Sequence, residues 1–522
     1  MKYFRSLLFF FFISSFIFPV EAQVTSKQVD SIVRRAMDHF AVAGVAVGIV
    51  KDGKVIYAKG FGKKNIQTGE KVDALTNFGI ASNSKAFTTA ALSQLVEEGK
   101  LSWKDKVIDI IPEFRMYNDY TTMNFNIEDL VTHRSGLGLG VGDLMFFPDG
   151  ADFSMKDIVK NFQYFKPVSP FRTKFDYDNL LYLVAGEVIK RVSGKPWEEF
   201  VKERIFKPIE MNHTYASIEF IKKGDNLAQP HLNKGKEIRL TQPERWDPQK
   251  INGAAGGIYS NVTDLSKWML VQLNHGKYGP DLSKELFSPK SQKKMWQIHT
   301  VLPTNNPRYN SHFGGYGLGW FLTDVKGNLM VSHTGGLMGM LSKTILIPDL
   351  DLGIVVLTNT YLDGAGVFSA VSQSILDKYL GMEPYDWVKH YADRYHRNEN
   401  KAQKVVEEVW KKVKKERNRK LDITKYAGIY KDPWFGKISI NPEKGHLVFK
   451  SFRSPKLSGP MYYYGDNTFV VKWTDRSLEE ADAFVIFQLD EKGKALRFSM
   501  KGISPAIDFS YDFQDLHPVK IK

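Results

Sequence analysis

Ser82 and Lys85 stand three residues apart at the head of an apolar stretch, FGIASNSKAFTTAALSQLVEEGK (78–100). On a helix that spacing is close to one turn, so both side chains share a face. A serine hydroxyl is a weak nucleophile until a base takes its proton. A lysine amine serves as that base when desolvation or neighbouring cations lower its pKa. Two further parts would complete the chemistry. A hydrogen-bonding pair must shuttle the proton and hold the substrate, and Tyr177 with Asn179 in FRTKFDYDNLLYLVAGEVI fits. A strand edge with a small residue must turn a backbone N–H towards an oxyanion, and His333-Thr334-Gly335-Gly336 fits. Ser-x-x-Lys and Tyr-x-Asn each occur a second time, at Ser291–Lys294 and Tyr259–Asn261. The first of these lies in a polar stretch beside Pro289 and reads as a surface turn; the second reads as a helix cap. Each motif alone is more often structural, but their order and separate contexts together favour function.

The elements that must position these residues are legible around them. VAGVAVGIVKDGKVIYAKGFG (42–62) is two β-rich runs around Asp52-Gly53, a strong hairpin signal. The stretch after Ser82 repeats Phe87, Ala91 and Leu95 on one helical face, with Gly99 as a stop. NIEDLVTHRSGLGLG (126–140) is a short helix running into a glycine-rich loop. Further apolar helices are expected at 178–194, ending at Gly194, and at 260–276, where Thr263 is the expected N-cap. Four β-rich runs at hairpin spacing occupy 316–360. Strands at both ends of the region with helices between them imply an α+β fold, one antiparallel sheet with helices packed on it. Residues 386–420 read as a polar helical linker. From 421 to 522 short aromatic β-runs alternate with turn residues, which predicts a separate small all-β, barrel-like domain. Its Tyr462–Tyr464 and Trp473 read as core at strand spacing, with a binding platform as the alternative.

The chain of 522 residues is long enough for two or more domains, and its 43% apolar and 25% charged content is that of a globular protein. The net charge of +14 is local: residues 401–420 hold nine Lys/Arg against three Glu. No nucleic-acid-binding module accompanies that run. It reads as a solvated helical face, with weak contact to an anionic membrane surface as the second reading and no nucleic acid as partner. Met1–Gln23 has a basic start at Lys2 and Arg5, an apolar run from Leu7 to Phe18, and small residues at Val20 and Ala22. This predicts a signal peptide over 1–22, cleaved before Gln23, and hence a periplasmic or secreted protein. There is no cysteine, so no disulfide, thiolate metal site or lipid-anchoring cysteine is expected. The 12 histidines show no metal-ligand spacing, and neither a metal nor another cofactor is expected.

These motifs carry a resemblance. FGIASNSKAFTTAAL, LVTHRSGL, FDYDNLLYLVAGEVIKRVSGKPWEEFVKERIFKPIEM, AAGGIYSNVTDLSKW, GYGLGW and SHTGG stand in the order found in the serine β-lactamase and penicillin-binding superfamily. The chain resembles its class C-like, DD-peptidase and esterase branch over roughly residues 25 to 380, which implies a β-lactamase/transpeptidase-like domain over 23–385 with an all-α subdomain. The C-terminal part is similar to a domain of unknown function often attached to that family. The resemblance implies Ser82 as nucleophile, Lys85 as its activating partner and Tyr177 as general base and acid. Asn179, His333, Thr334 and Gly335 would contact substrate, and the N–H groups of Ser82 and Gly336 would form the oxyanion hole. His133 and Arg134, near the same pocket, read as structural.

Two departures bear on substrate. The chain has His-Thr-Gly where β-lactamases of the family carry Lys-Thr-Gly, and an imidazole with an ordinary pKa near ~6.5 is no fixed cation at pH 7. No Glu lies between Glu128 and Glu187, where class A enzymes keep a deacylating carboxylate. The expected activity is that of an exported serine hydrolase working through a Ser acyl-enzyme on an ester or amide, such as a D-amino-acid peptide. The alternatives are a class C-like β-lactamase, an acyltransferase and a non-turnover penicillin-binding sensor. The oligomeric state is not legible.

Overall fold

The computed structural model describes residues 24–241 and 253–521. The expected signal peptide lies outside these residues. After a first helix, α1 (Ser26–Phe40), come the hairpin strands β1 (Gly44–Lys51) and β2 (Lys54–Gly62). Asp52 and Gly53 both take positive φ at the turn, as a two-residue hairpin of this twist requires. Next are the helices α2 (Ser84–Glu97), α3 (Leu180–Ser193) and α4 (Val262–Leu273). Six strands follow: β3 (Thr300–Val301), β4 (Gly314–Tyr316), β5 (Phe321–Val325), β6 (Asn328–Leu337), β7 (Met340–Ile347) and β8 (Leu352–Thr358). They join the hairpin in one antiparallel sheet of order β2-β1-β8-β7-β6-β5-β4-β3. Chain start and chain middle thus meet at β1–β8, where Val45 pairs with Thr358 and Lys51 with Leu352.

Both faces of that seam are covered. Val45, Val47, Ile49, Ile354 and Val356 face α1 and a helix after the sheet, α5 (Gly364–Tyr379), while Ala46, Val50, Val355 and Leu357 face α4. A strand buried on two sides must be apolar at every position, which is why GVAVGIV and LGIVVLT read as unbroken runs. The same logic explains α2. Its hydrophobic pattern is weakly one-sided because Ser84 to Leu95 are all buried, between the sheet and the helical region that contains α3. Phe87 stacks on Trp268 of α4 at 4.1 Å.

The expected helical linker over 386–420 is helical for most of its length. Trp387–Glu416 form one helix, α6, whose Trp387, Val388 and Ala392 pack with α1 and α5, while Val409 and Val413 pack on the C-terminal domain. Its lysines face outward, so the solvated basic face is one side of a helix bolted to both domains. The C-terminal domain is a closed antiparallel barrel of eight strands from Gly428 to Lys520. Trp473 is core there, with its Nε1 donating to the Ala481 carbonyl at 2.6 Å. Tyr462 and Tyr464 are half-buried under α6, where Trp410 sits edge-on to Tyr462 and Lys412 lies over Tyr464, whereas Tyr463 turns to the barrel core, edge-on to Phe469, with Arg419 beyond the helix over its ring.

Two local expectations need correction. Helix α4 is capped by Asn261, whose side chain accepts from the Asp264 N–H at 2.9 Å, and not by Thr263, whose hydroxyl donates to the Ala74 carbonyl. Thr263 lies one residue inside the first turn, past the cap position. Ser291 and Lys294 lie on a short helix, Pro289–Met295, not a turn, because Ser288 caps it and Pro289 suits the first position. Lys294 there pairs with Glu128 at 2.7 Å, far in role from Ser82. The Asn261 cap predicts that Asn261→Ala lowers unfolding free energy by about 1 kcal/mol in a urea titration.

Candidate active site

Ser82 sits on a tight turn, Ala81–Asn83, that leads into α2. Ala81 takes φ 47°, a strained region for a residue with a Cβ, and the surroundings hold it there. The Ser342 hydroxyl of β7 donates to the Ile80 carbonyl at 2.7 Å and accepts from the Asn83 amide at 2.8 Å. The Ile80 N–H donates to the Ile258 carbonyl, and the Ile258 N–H donates to the Ser84 hydroxyl. The turn carrying the hydroxyl is therefore stitched to the sheet on one side and to 253–258 on the other.

Lys85 is fully buried one helical turn on. Its Nζ lies 3.0 Å from Ser82 Oγ, 2.7 Å from Asn179 Oδ1 and 2.9 Å from the Ala255 carbonyl oxygen. Two of these partners can only accept. A neutral amine has two N–H bonds for them and one lone pair left, directed at the Ser82 hydroxyl. Burial brings the Lys85 pKa down to about 7, against the opposing pull of the Asp143 and Asp178 carboxyls.

Asn179 and Tyr177 arrive from the entrance of α3. Asp178 caps that helix, its Oδ1 accepting from the Leu181 N–H at 3.2 Å, which leaves the Asn179 side chain free for the site. The Tyr177 ring lies 4.9 Å from Lys85 Nζ, its hydroxyl faces Ser82, and burial pushes its pKa well up. Beneath it is His133, ring centroids 4.1 Å apart, with Nδ1 accepting from the Asp178 N–H at 3.1 Å. The loop holding His133 is fixed by Arg134, which donates to Glu128 and Asp129.

His333, Thr334, Gly335 and Gly336 end strand β6. Strand β5 stops pairing at Ser332, so the last residues of β6 present a free edge beside Ser82. A Cβ on Gly335 would lie 2.1 Å from the Ile80 carbonyl oxygen and 3.0 Å from Ser82 N, so only glycine permits this approach. Gly336 has no such constraint: a Cβ there meets only the end of Leu341, at 3.2 Å. His333 is buried, which lowers its pKa to about 3. Its Nδ1 is 2.6 Å from the Thr334 carbonyl and so carries the proton, leaving Nε2 to accept from the Tyr316 hydroxyl at 3.1 Å. The structure thus brings Ser82, Lys85, Tyr177, Asn179, His333, Thr334, Gly335 and Gly336 around one pocket of about 320 Å³, with Lys85 just below its surface.

A match to a family model described as Beta-lactamase covers residues 29–368, well over half of the chain. The chain belongs to the beta-lactamase family. A second match, to a domain of unknown function (DUF3471), covers 412–519 and takes in the barrel. Relatives within the family include the unguisins hydrolase ungD' of Aspergillus campestris, 29% identical over 78% of this chain and 76% of the relative. Protein flp of Staphylococcus aureus is 27% identical over 64% of this chain and 63% of that protein, so the match spans under two thirds of its length. Among solved structures, the octameric penicillin-binding protein homologue from Pyrococcus abyssi covers 95% of this chain and 100% of its own, with TM-score 0.59 and 21% identity. EstCE1, a hydrolase with promiscuous acyltransferase activity, matches 67% of this chain and 97% of its own, with TM-score 0.56 and 20% identity. At those identities the structures speak for the fold, an α+β β-lactamase-like domain.

Sequence reasoning missed several groups at this beta-lactamase-type site. Asp143 is buried behind Asn179, its Oδ2 accepting from Asn179 Nδ2 at 2.8 Å. Its only sequence signal is a lone acid in a glycine-rich apolar loop. Asp508, Phe509 and Ser510 come from the C-terminal domain and line the pocket. Nothing in their local sequence announces that. Among the described residues no group of three or more His, Asp or Glu sits together as a metal site. The glycine packing gives a direct test: Gly335→Ala loses about 1–3 kcal/mol of stability by overpacking, whereas Gly336→Ala stays within about 1 kcal/mol, both read by chemical denaturation.

Proposed function

We propose that this protein is an exported serine hydrolase that turns over neutral, largely apolar esters or amides through an acyl-enzyme on Ser82. The observation that carries it is the buried Lys85 amine, whose two acceptors leave its lone pair for the Ser82 hydroxyl. In this reading neutral Lys85 takes the Ser82 proton as Oγ attacks the substrate carbonyl. The N–H groups of Ser82 and Gly336 hold the oxyanion. Tyr177, whose raised pKa keeps it protonated, passes its proton to the leaving group and regains one from Lys85. Water then attacks the acyl carbonyl with the same groups as base, and Ser82 is released. Asn179 and Thr334 hold the substrate at the two sides of the pocket.

The pocket lining supports the substrate class. Phe146, Phe147, Phe175, Phe321 and Phe509 contribute apolar walls, and no Lys or Arg lines it among the described residues. The neutral imidazole of His333 likewise supplies no cation for a substrate carboxylate. This disfavours free carboxylates, β-lactams included, as good substrates. The hydrolase and acyltransferase named among the similar proteins are in keeping with ester or amide chemistry. For export, the support is the basic start, apolar run and small residues before Gln23. N-terminal sequencing of the protein recovered from outside the inner membrane should begin at Gln23.

Two measurements test the chemistry. Hydrolysis of p-nitrophenyl butyrate should depend on Ser82, disappearing in Ser82→Ala. Its rate should rise with pH through about 7, because only the deprotonated Lys85 accepts a proton and its pKa is lowered to about that value. A rate flat across that range would remove Lys85 as the base. An intact-mass time course with a penicillin, beside Ser82→Ala, should show little adduct. A lasting, Ser82-dependent adduct would instead favour the penicillin-binding sensor.

A further inference from the structure

The connection between the last two barrel strands, residues 503–518, leaves the barrel and lies against the catalytic domain. Its contacts converge on one place. The Ser510 hydroxyl donates to Asp143 Oδ2 at 2.8 Å, the same oxygen that accepts from Asn179 Nδ2. Asp512 is fully buried, and its two carboxylate oxygens accept from the N–H groups of Gly142 and Leu144 at 2.6 and 3.0 Å. These are the backbone groups on either side of Asp143. Phe509 closes on Gly140, where a Cβ would come within 2.5 Å of the Phe509 carbonyl oxygen, and its ring meets Tyr177 edge-on at 5.8 Å. The Gly140 N–H in turn donates to the Tyr177 carbonyl.

An asparagine amide has two ends of similar shape and opposite chemistry. Lys85 needs the oxygen end of Asn179. Asp143 presents an oxygen that accepts, which selects the nitrogen end for itself and leaves Oδ1 for Lys85. Whatever holds Asp143 therefore sets which way Asn179 faces. The 138–146 loop that carries Asp143 has glycines at 138, 140 and 142 and little regular structure of its own.

We propose that Ser510 and Asp512 of the barrel domain are positioning residues for catalysis: they hold Asp143 against Asn179, and so keep the Asn179 carbonyl on Lys85. The barrel is then a working part of the catalytic site, not a passenger. The proposal rests on the acyl-enzyme reading above, and its test separates the two.

The test is the rate of first-turnover p-nitrophenolate release from p-nitrophenyl butyrate by the full-length protein. Losing one such hydrogen bond should slow acylation about five- to tenfold in Ser510→Ala while KM changes less than about twofold. Ser510→Thr, which keeps the hydroxyl, should recover most of that rate. Asp512→Asn, which loses one of the two acceptors on the loop, should slow acylation in the same direction. Thermal melting of each variant checks that the barrel is folded, and Asp512→Asn carries the test should Ser510→Ala melt early. A folded Ser510→Ala that acylates at the parent rate overturns the proposal, as does a Ser510→Thr as slow as the alanine variant. If the unmutated protein gives no Ser82-dependent release, the acyl-enzyme reading itself fails and the positioning role falls with it.

Discussion

A lysine amine with no access to water is the constraint around which this molecule is built. Burying a charged ammonium is costly, so the side chain sheds its proton near neutral pH unless acceptors hold it. The site offers Lys85 two acceptors and a hydroxyl, a set that fits the neutral amine. Maintaining it requires that helix α2 be enclosed on every side, because any open face would let water reach Nζ. The sheet covers one flank, α3 and its neighbours another, and the 253–256 segment supplies both a carbonyl to Lys85 and one to Thr88. Most of the beta-lactamase-family domain serves to enclose that one helix.

The same demand shapes the second layer. Each polar group brought into the interior to serve Lys85 or Tyr177 needs partners of its own. Asn179 is answered by Asp143, Asp143 by Ser510, the Asp143 loop by Asp512, and the Tyr177 ring by His133 and Phe509. Burial pushes the pKa values of Asp143, Asp178 and Asp512 upward, against the N–H and O–H groups that donate to them. The barrel enters the site as the source of two of these partners. Helix α6 packs on both domains as well, so the 503–518 connection is not their sole contact.

Much of this was legible in the residues. The Asp-Gly hairpin, the helix starting after Ser82, the glycine stop at Gly194 and the aromatic β-runs after 421 are local signals, set by backbone sterics and short-range periodicity. The three motifs of the site were visible because each sits at the junction of two elements. Helix α2 was read as one-sided from Phe87, Ala91 and Leu95, and is buried all round: small polar residues such as Thr88 and Ser93 look like a solvent face in sequence, yet bond to carbonyls in the interior. Asn261 of the Tyr259–Asn261 motif caps α4, in agreement with its helix-cap reading, whereas Thr263, also a capping type, lies inside the first turn, and only the chain's entry angle selects between them.

By itself the sequence determined the chemistry on offer: a serine and a lysine one turn apart, a Tyr-x-Asn pair, a His-Thr-Gly-Gly strand end, and the order of strands and helices that brings them near. It also set the substitution of His for Lys on that strand. Tertiary structure alone decided the rest. It set the amine's proton affinity, which follows from burial and not from residue type. It chose which face of Asn179 meets Lys85. It also brought Ser510 to Asp143 across 367 positions of chain. Those are long-range contacts, and their energies come from exclusion of water and from the geometry of groups that no local pattern links.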